Sequence, residues 1–74
     1  MKITIESTTK IVSLNGIPAR IWEGETASGI KIHCYITRLA IDENEKRTEE
    51  FEKELQEQKK PSFAIEAIPL NLIL

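Results

Sequence analysis

The segment from Ile30 to Ile41 constrains the fold more than any other, because apolar and polar residues alternate along most of it. Successive side chains of a β-strand point to opposite faces, so this alternation predicts a strand with one apolar and one polar face. The apolar face would carry Ile30, Ile32, Cys34, Ile36 and Ala40. The polar face would carry Lys31, His33, Tyr35 and Thr37, which include the chain's only histidine and only tyrosine. Any chemistry of this chain is expected near that polar face.

Asn15 and Gly16 predict a tight hairpin, since both accept the positive φ that a type I′ turn requires. Before the turn, residues 2–14 indicate one irregular strand or two short ones, and after it residues 17–23 indicate the next. A loop at 24–29, with a glycine at each end, leads to the strand from Ile30. The result is a meander of three or four antiparallel strands.

Residues 42–60, which precede Pro61, carry thirteen of the twenty-two charged side chains of the chain. Asp42 is a candidate N-cap, and acidic residues that precede basic ones by four positions stabilise a helix by about 0.2–0.5 kcal/mol per pair. We predict one charged helix over residues 43–59. Its apolar stripe is only Phe51 and Leu55, which is too narrow to cover a sheet.

The tail from Ser62 to Leu74 contains nine apolar residues and one charge among its thirteen positions. Pro69 interrupts it, and residues 70–74 are predicted to form a final strand. This strand is expected either to pair with the sheet of its own subunit or to cross to a neighbouring subunit. The predicted oligomer interface consists of Leu70, Leu72, Ile73 and Leu74.

The length predicts a single small domain, residues 1–74, of the α+β class, with a three- to five-stranded antiparallel sheet, one charged helix and a C-terminal strand. A chain this short buries roughly 60% of its unfolded surface, so association with a second subunit is a common source of stability. The lone Cys34 favours a reducing compartment. No segment has the pattern of a signal peptide or a membrane span. We expect a cytoplasmic homo-oligomer that does not enter membranes.

Matching apolar sides across the strands predicts a shared aromatic and cationic face. If Ile17, Ala19 and Ile21 lie with the apolar side of the following strand, parity places Arg20 and Trp22 on the same face as Lys31, His33 and Tyr35. Such a face could stack on a base and neutralise phosphate, or anchor an acidic protein surface. It could equally be the ordinary polar face of an antiparallel sheet. The predicted ligand- or partner-binding residues are Arg20, Trp22, Lys31, His33, Tyr35 and Arg38.

No motif for catalysis, metal binding or phosphate cradling occurs in the chain. His33 and Cys34 point to opposite faces of their strand, and no second histidine or cysteine can complete a ligand set. No nucleophile elbow frames a serine, and Glu23 and Glu25 are typical of solvated loop carboxylates. A net charge of −2 does not favour direct binding of nucleic acid. We expect a protein that binds, without catalysis, cofactor or metal.

Residues 1–12, 15–23 (Asn-Gly-Ile-Pro-Ala-Arg-Ile-Trp-Glu) and 67–74 (Ala-Ile-Pro-Leu-Asn-Leu-Ile-Leu) resemble small uncharacterised reading frames of bacteriophages and prophages. The resemblance implies a phage accessory role, in which such proteins counter bacterial defence. It assigns no site residues. We therefore expect a non-enzymatic phage accessory protein that sequesters a small anionic or nucleotide immune signal. The alternative is an inhibitor that occludes a host defence protein, such as a CRISPR or other nuclease effector.

Overall fold

Four strands and two short helices make up the fold in this computed structural model, which describes all 74 residues. In chain order the elements are β1 (Ile3–Leu14), β2 (Ile17–Thr26), β3 (Lys31–Ile36), α1 (Thr48–Glu54), α2 (Phe63–Glu66) and β4 (Asn71–Leu72). The strands form one sheet in the order β3-β2-β1-β4. The meander β1-β2-β3 is antiparallel, whereas β4 runs parallel to β1. The predicted α+β class is confirmed. The prediction of a wholly antiparallel sheet is wrong, because the parallel strand β4 makes the sheet mixed.

The hairpin between β1 and β2 turns at Asn15 and Gly16, as predicted. Both residues have positive φ, 52° and 83°, as a type I′ turn requires. Within β1, the pairing with β2 shifts between Ser7 and Ile11. The residues between them bulge, and the fully buried Thr8 donates its hydroxyl to the Ile21 carbonyl oxygen at 2.6 Å. The N-terminal segment is therefore one irregular strand, which was one of the two predicted alternatives.

Strand β2 continues through Gly24, which the sequence pattern assigned to a loop. Gly24 lies opposite Ile5 of β1. A Cβ atom at this position would overlap the Thr4 carbonyl oxygen and approach the Ile5 Cα to 2.8 Å. The close approach of the two backbones therefore requires glycine here.

The hydrophobic core lies on one side of the sheet, which we call the core face and define by Val12, Ala19, Ile21 and Tyr35. The buried apolar residues are Val12, Ala19, Ile21 and, from α2, Ile65. Leu14, Tyr35, Ile68 and Leu72 pack against them. Helix α2 and the tail thus cover the core face.

The tail pairs with the first strand of its own chain. The N–H groups of Ser13 and Asn15 donate to the carbonyl oxygens of Leu70 and Leu72 at 2.7 and 2.8 Å. This pairing places Leu72 in the core of its own subunit. The other residues of the predicted oligomer interface remain exposed, with exposed fractions of 63% for Leu70, 92% for Ile73 and 81% for Leu74.

Helix α1 is shorter than the predicted helix over residues 43–59, and it buries no side chain. The Asp42 carboxylate accepts from the Asn44 N–H at 2.9 Å, so it stabilises a local turn instead of capping the helix. Arg47 pairs with Glu45, two positions before it, at 2.7 Å, a spacing different from the four positions that stabilise a helix. Without a wide apolar stripe, tertiary packing does not extend the helix beyond two turns. Neither helix has the length and apolar composition of a membrane-spanning helix.

Candidate functional site

The pairing of β2 with β3 divides the predicted binding residues between two sides of the sheet. Residues that lie opposite each other on paired strands share a face. Trp22 lies opposite Cys34, and Ile21 lies opposite Tyr35. The predicted common face for Trp22 and Tyr35 is therefore wrong. A register that differs by one residue from the one assumed exchanges the two faces of a strand.

We call the side opposite the core the open face and define it by Arg20, Trp22, Cys34 and Ile36. Helix α1 lies beside it, and a cavity of about 340 Å³ separates the helix from the strands. Apolar side chains from the strands, from the segment after β3 and from α1 form most of its wall. The residues that line it are Ser7, Ile11, Pro18, Ala19, Arg20, Trp22, Ile36, Thr37, Arg38, Leu39, Phe51, Glu54 and Leu55.

Two guanidinium groups and one carboxylate give the cavity its charged character. Arg20 is half-buried, and its Nη1 donates to the Thr8 carbonyl oxygen at 2.8 Å, so the β1 bulge fixes its position. A guanidinium has five N–H donors, so most of those of Arg20 remain available. Arg38 follows β3, is exposed, and forms no ion pair. Glu54 of α1 is also outside any ion pair.

Trp22 supplies the only indole of the chain to the cavity. It occupies the middle strand of the meander, between Ser7 of β1 and Cys34 of β3. The side chain is half-buried, so part of the ring remains accessible from the cavity. Its backbone is held on both sides by strand pairing, which gives the ring a rigid support.

The other predicted binding residues form a separate polar cluster on the core-face side. His33 Nε2 lies 3.1 Å from the Tyr35 hydroxyl, and the two rings meet edge to face at 5.3 Å. Lys31 pairs with Glu25 at 3.2 Å. None of Lys31, His33 and Tyr35 lines the cavity. The structure therefore brings together Arg20, Trp22 and Arg38, and it separates them from the other three.

Glu23 joins this polar cluster to the segment before α2. It lies opposite His33, and its carboxylate accepts from the Ser62 N–H at 2.8 Å. Desolvation acts to raise the pKa of Glu23, but the hydrogen bonds from Ser62 and the charges of Lys59 and His33 together lower it below its ordinary value. The carboxylate is therefore charged at neutral pH and holds Ser62 against the sheet.

Phe51 and Glu54 of α1, and Leu55 directly after it, line the cavity but were absent from the predicted site. A signal for them was present in the sequence, since Phe51 and Leu55 form the two-residue apolar stripe of the predicted helix. A stripe of this width touches a sheet at one patch without covering it. The uncovered remainder of the open face is where a cavity can form.

The cavity is suited chemically to binding. Its apolar wall, accessible indole and two guanidinium groups can accommodate a flat ring joined to an anion. No group of three or more metal-ligating side chains occurs in the structure. Comparisons with protein-family models, with curated proteins and with solved structures gave no match to this chain.

Proposed function

We propose that this protein sequesters a small anionic ligand of the nucleotide type in the cavity between the open face and α1. It does so without chemical transformation, as a phage-encoded accessory protein that withholds a signal of bacterial defence in the host cytoplasm. The observation that carries the proposal is the convergence of Trp22, Arg20 and Arg38 on one largely apolar cavity. The phage context rests on the sequence resemblance alone.

The size of the cavity supports a ligand of this class. Small-molecule sites occupy about 300–1,000 Å³ and combine apolar walls with a few polar groups that fix orientation. The cavity, at about 340 Å³, lies at the lower end of that range. It therefore suits a mononucleotide, or one half of a dinucleotide with the remainder in solvent.

Each of the three residues has a distinct role in the proposed complex. Trp22 stacks on the base, an interaction worth about 1–3 kcal/mol. Arg20, held by the bulge, donates to the phosphate in a fixed orientation, and Arg38 supplies a second charge from the rim. Because the proposed contacts join charged groups near the surface, binding is expected to weaken as the salt concentration rises.

Native mass spectrometry of freshly purified protein tests the proposal directly. We expect a mass adduct that is lost on heat denaturation and recovered intact as a nucleotide in the supernatant. A direct protein inhibitor would instead release no small molecule and would recover one defence component from a host lysate at fixed stoichiometry. That outcome would replace sequestration by the alternative function.

Fluorescence of Trp22 measures binding because it is the only tryptophan. Adenosine and guanosine monophosphates and cyclic dinucleotides serve as probes, and at least one is expected to quench it. Arg38→Ala removes a charge-assisted contact worth about 1.5–3 kcal/mol, so the Kd is expected to rise roughly tenfold to a hundredfold. Lys31→Ala is the matched control, since it removes the same charge from the opposite side of the sheet. Equal Kd values for the two variants would exclude the cavity as the site.

A further inference from the structure

The two outer edges of the sheet differ in how far they are covered. From Ser7 onward, the edge of β1 is closed by two segments. Ser7 and Thr9 exchange backbone hydrogen bonds with Lys59 at 3.0 and 3.1 Å, and β4 closes the end of the strand. Strand β3 is terminal in the sheet, and no other segment pairs with its outer side. An open edge of this kind is a template for a further strand.

The hydrogen-bond pattern shows which backbone groups of β3 point outward. The Thr26 N–H donates to the Ile30 carbonyl oxygen at 2.9 Å, which makes these two residues a hydrogen-bonded pair. Hydrogen-bonded and non-hydrogen-bonded pairs alternate along an antiparallel ladder. The even-numbered residues of β3 therefore bond to β2, and the odd-numbered residues direct their N–H and C=O groups outward. These outward residues are Lys31, His33 and Tyr35.

We propose that two copies of this chain join along the outer edges of β3, as antiparallel strands related by a two-fold axis at Cys34. The outward groups of His33 then bond to those of Tyr35 in the second copy, and the reverse pairing follows by symmetry. The two four-stranded sheets become one continuous sheet. Cys34 lies opposite its own counterpart in a non-hydrogen-bonded pair, whose Cα atoms are about 4.5 Å apart.

The side chains of β3 favour a second copy as the occupant and favour this register. On the open face, Ile32 lies opposite Ile36 of the second copy, so apolar side chains meet. Lys31 lies opposite Thr37, the residue that follows β3, so no like charges are opposed. A register shifted by two residues, centred on His33, would oppose the two His33 side chains and separate the cysteines. Between Ile32 and Ile36 the strand has no lysine, proline or bulge of the kind that normally protects an edge.

The single cysteine gives a test that is specific for the register. A disulfide spans Cα atoms about 4.4–6.8 Å apart, which the Cys34-centred register satisfies and the shifted register does not. Mild oxidation of the full chain at micromolar concentration is expected to give a covalent dimer rapidly. The matched control combines Cys34→Ser with Ser28→Cys, which moves the thiol to the exposed turn after β2. Its cross-linking depends on collision and is expected to be much slower.

Sedimentation under reducing conditions tests the edge itself. Wild type is expected to sediment as a dimer. His33→Pro removes one outward N–H but no bond to β2, so it is expected to sediment as a monomer and to remain folded, as measured by circular dichroism. Thr37→Lys opposes Lys31 of the second copy and is expected to weaken the dimer, whereas Thr37→Glu is expected to strengthen it. These two variants keep the test decisive if His33→Pro does not fold. Monomeric wild type, or cross-linking no faster than the control, would overturn the proposal.

Discussion

At Gly24 the neighbouring strand leaves no room for a side chain. Gly24→Ala would force a Cβ atom into the Thr4 carbonyl oxygen, so β1 and β2 would have to separate. We expect a loss of about 1–3 kcal/mol in the free energy of unfolding, measured by urea denaturation. The obstacle is a backbone atom, so Thr4→Ala in the same chain is not expected to restore stability. Wild-type stability of Gly24→Ala would contradict the close approach of the strands.

Glu23 makes the free energy of unfolding depend on pH in the acidic range. Its folded-state pKa lies below the ordinary value of 4.5, so its contribution is complete above that pH and is lost as the pH falls through the folded-state pKa. Glu23→Gln is therefore expected to be less stable than wild type at neutral pH, and the difference should shrink as the pH falls below 4.5 and through the folded-state pKa. Thermal unfolding across this range measures it. Glu52→Gln, with the same charge change on α1, should show no such convergence.

The C-terminal tail covers the end of the outer edge of β1 and packs on the core. Deletion of residues 70–74 removes the backbone bonds to Ser13 and Asn15 and the packing of Leu72 on the core. Because only four apolar residues form the buried core, we expect the shortened chain to unfold or to lose cooperative thermal unfolding. The triple variant Leu70→Ser, Ile73→Ser and Leu74→Ser changes only exposed side chains and should unfold cooperatively. Unaltered unfolding of the deletion would contradict this role.

Local signals in the sequence predicted the elements, and long-range contacts decided how they combine. Asn15 and Gly16 specify their turn within two residues, so the hairpin could be predicted. The β2–β3 register depends on the length of the turn after Thr26, where one residue more or less exchanges the faces of β3. Apolar residues recur at every second position in both strands, so matching apolar faces does not determine the register.

The candidate site was predicted in part for the same reason. Arg20, Trp22 and Arg38 were identified from the sequence because their side chains are of types that commonly bind anions and aromatic rings. Their separation from His33 and Tyr35 follows from the register, and the contribution of α1 depends on how a seven-residue helix lies over the open face. Neither property is encoded in a local pattern.

At the scale of the whole molecule, pairing through β3 should link stability to protein concentration. If the folded chain is a dimer, mass action raises its Tm as the concentration rises. We expect this dependence in wild type and its loss in His33→Pro, measured by differential scanning calorimetry over a wide range of concentrations. A Tm of wild type that is independent of concentration would contradict dimerisation.

The closure of the outer edge of β1 by segments far along the chain also has a kinetic consequence. The Ser7 hydroxyl donates to the Glu57 carbonyl oxygen across 50 positions, and the Leu74 N–H donates to the Asn15 side chain across 59. The meander pairs strands that are neighbours in sequence, and the entropy of closing long loops delays distant contacts. The β1–β2–β3 meander is therefore expected to form first, with the edge of β1 still open. During that interval refolding competes with aggregation, so the refolding yield should fall as the chain concentration rises.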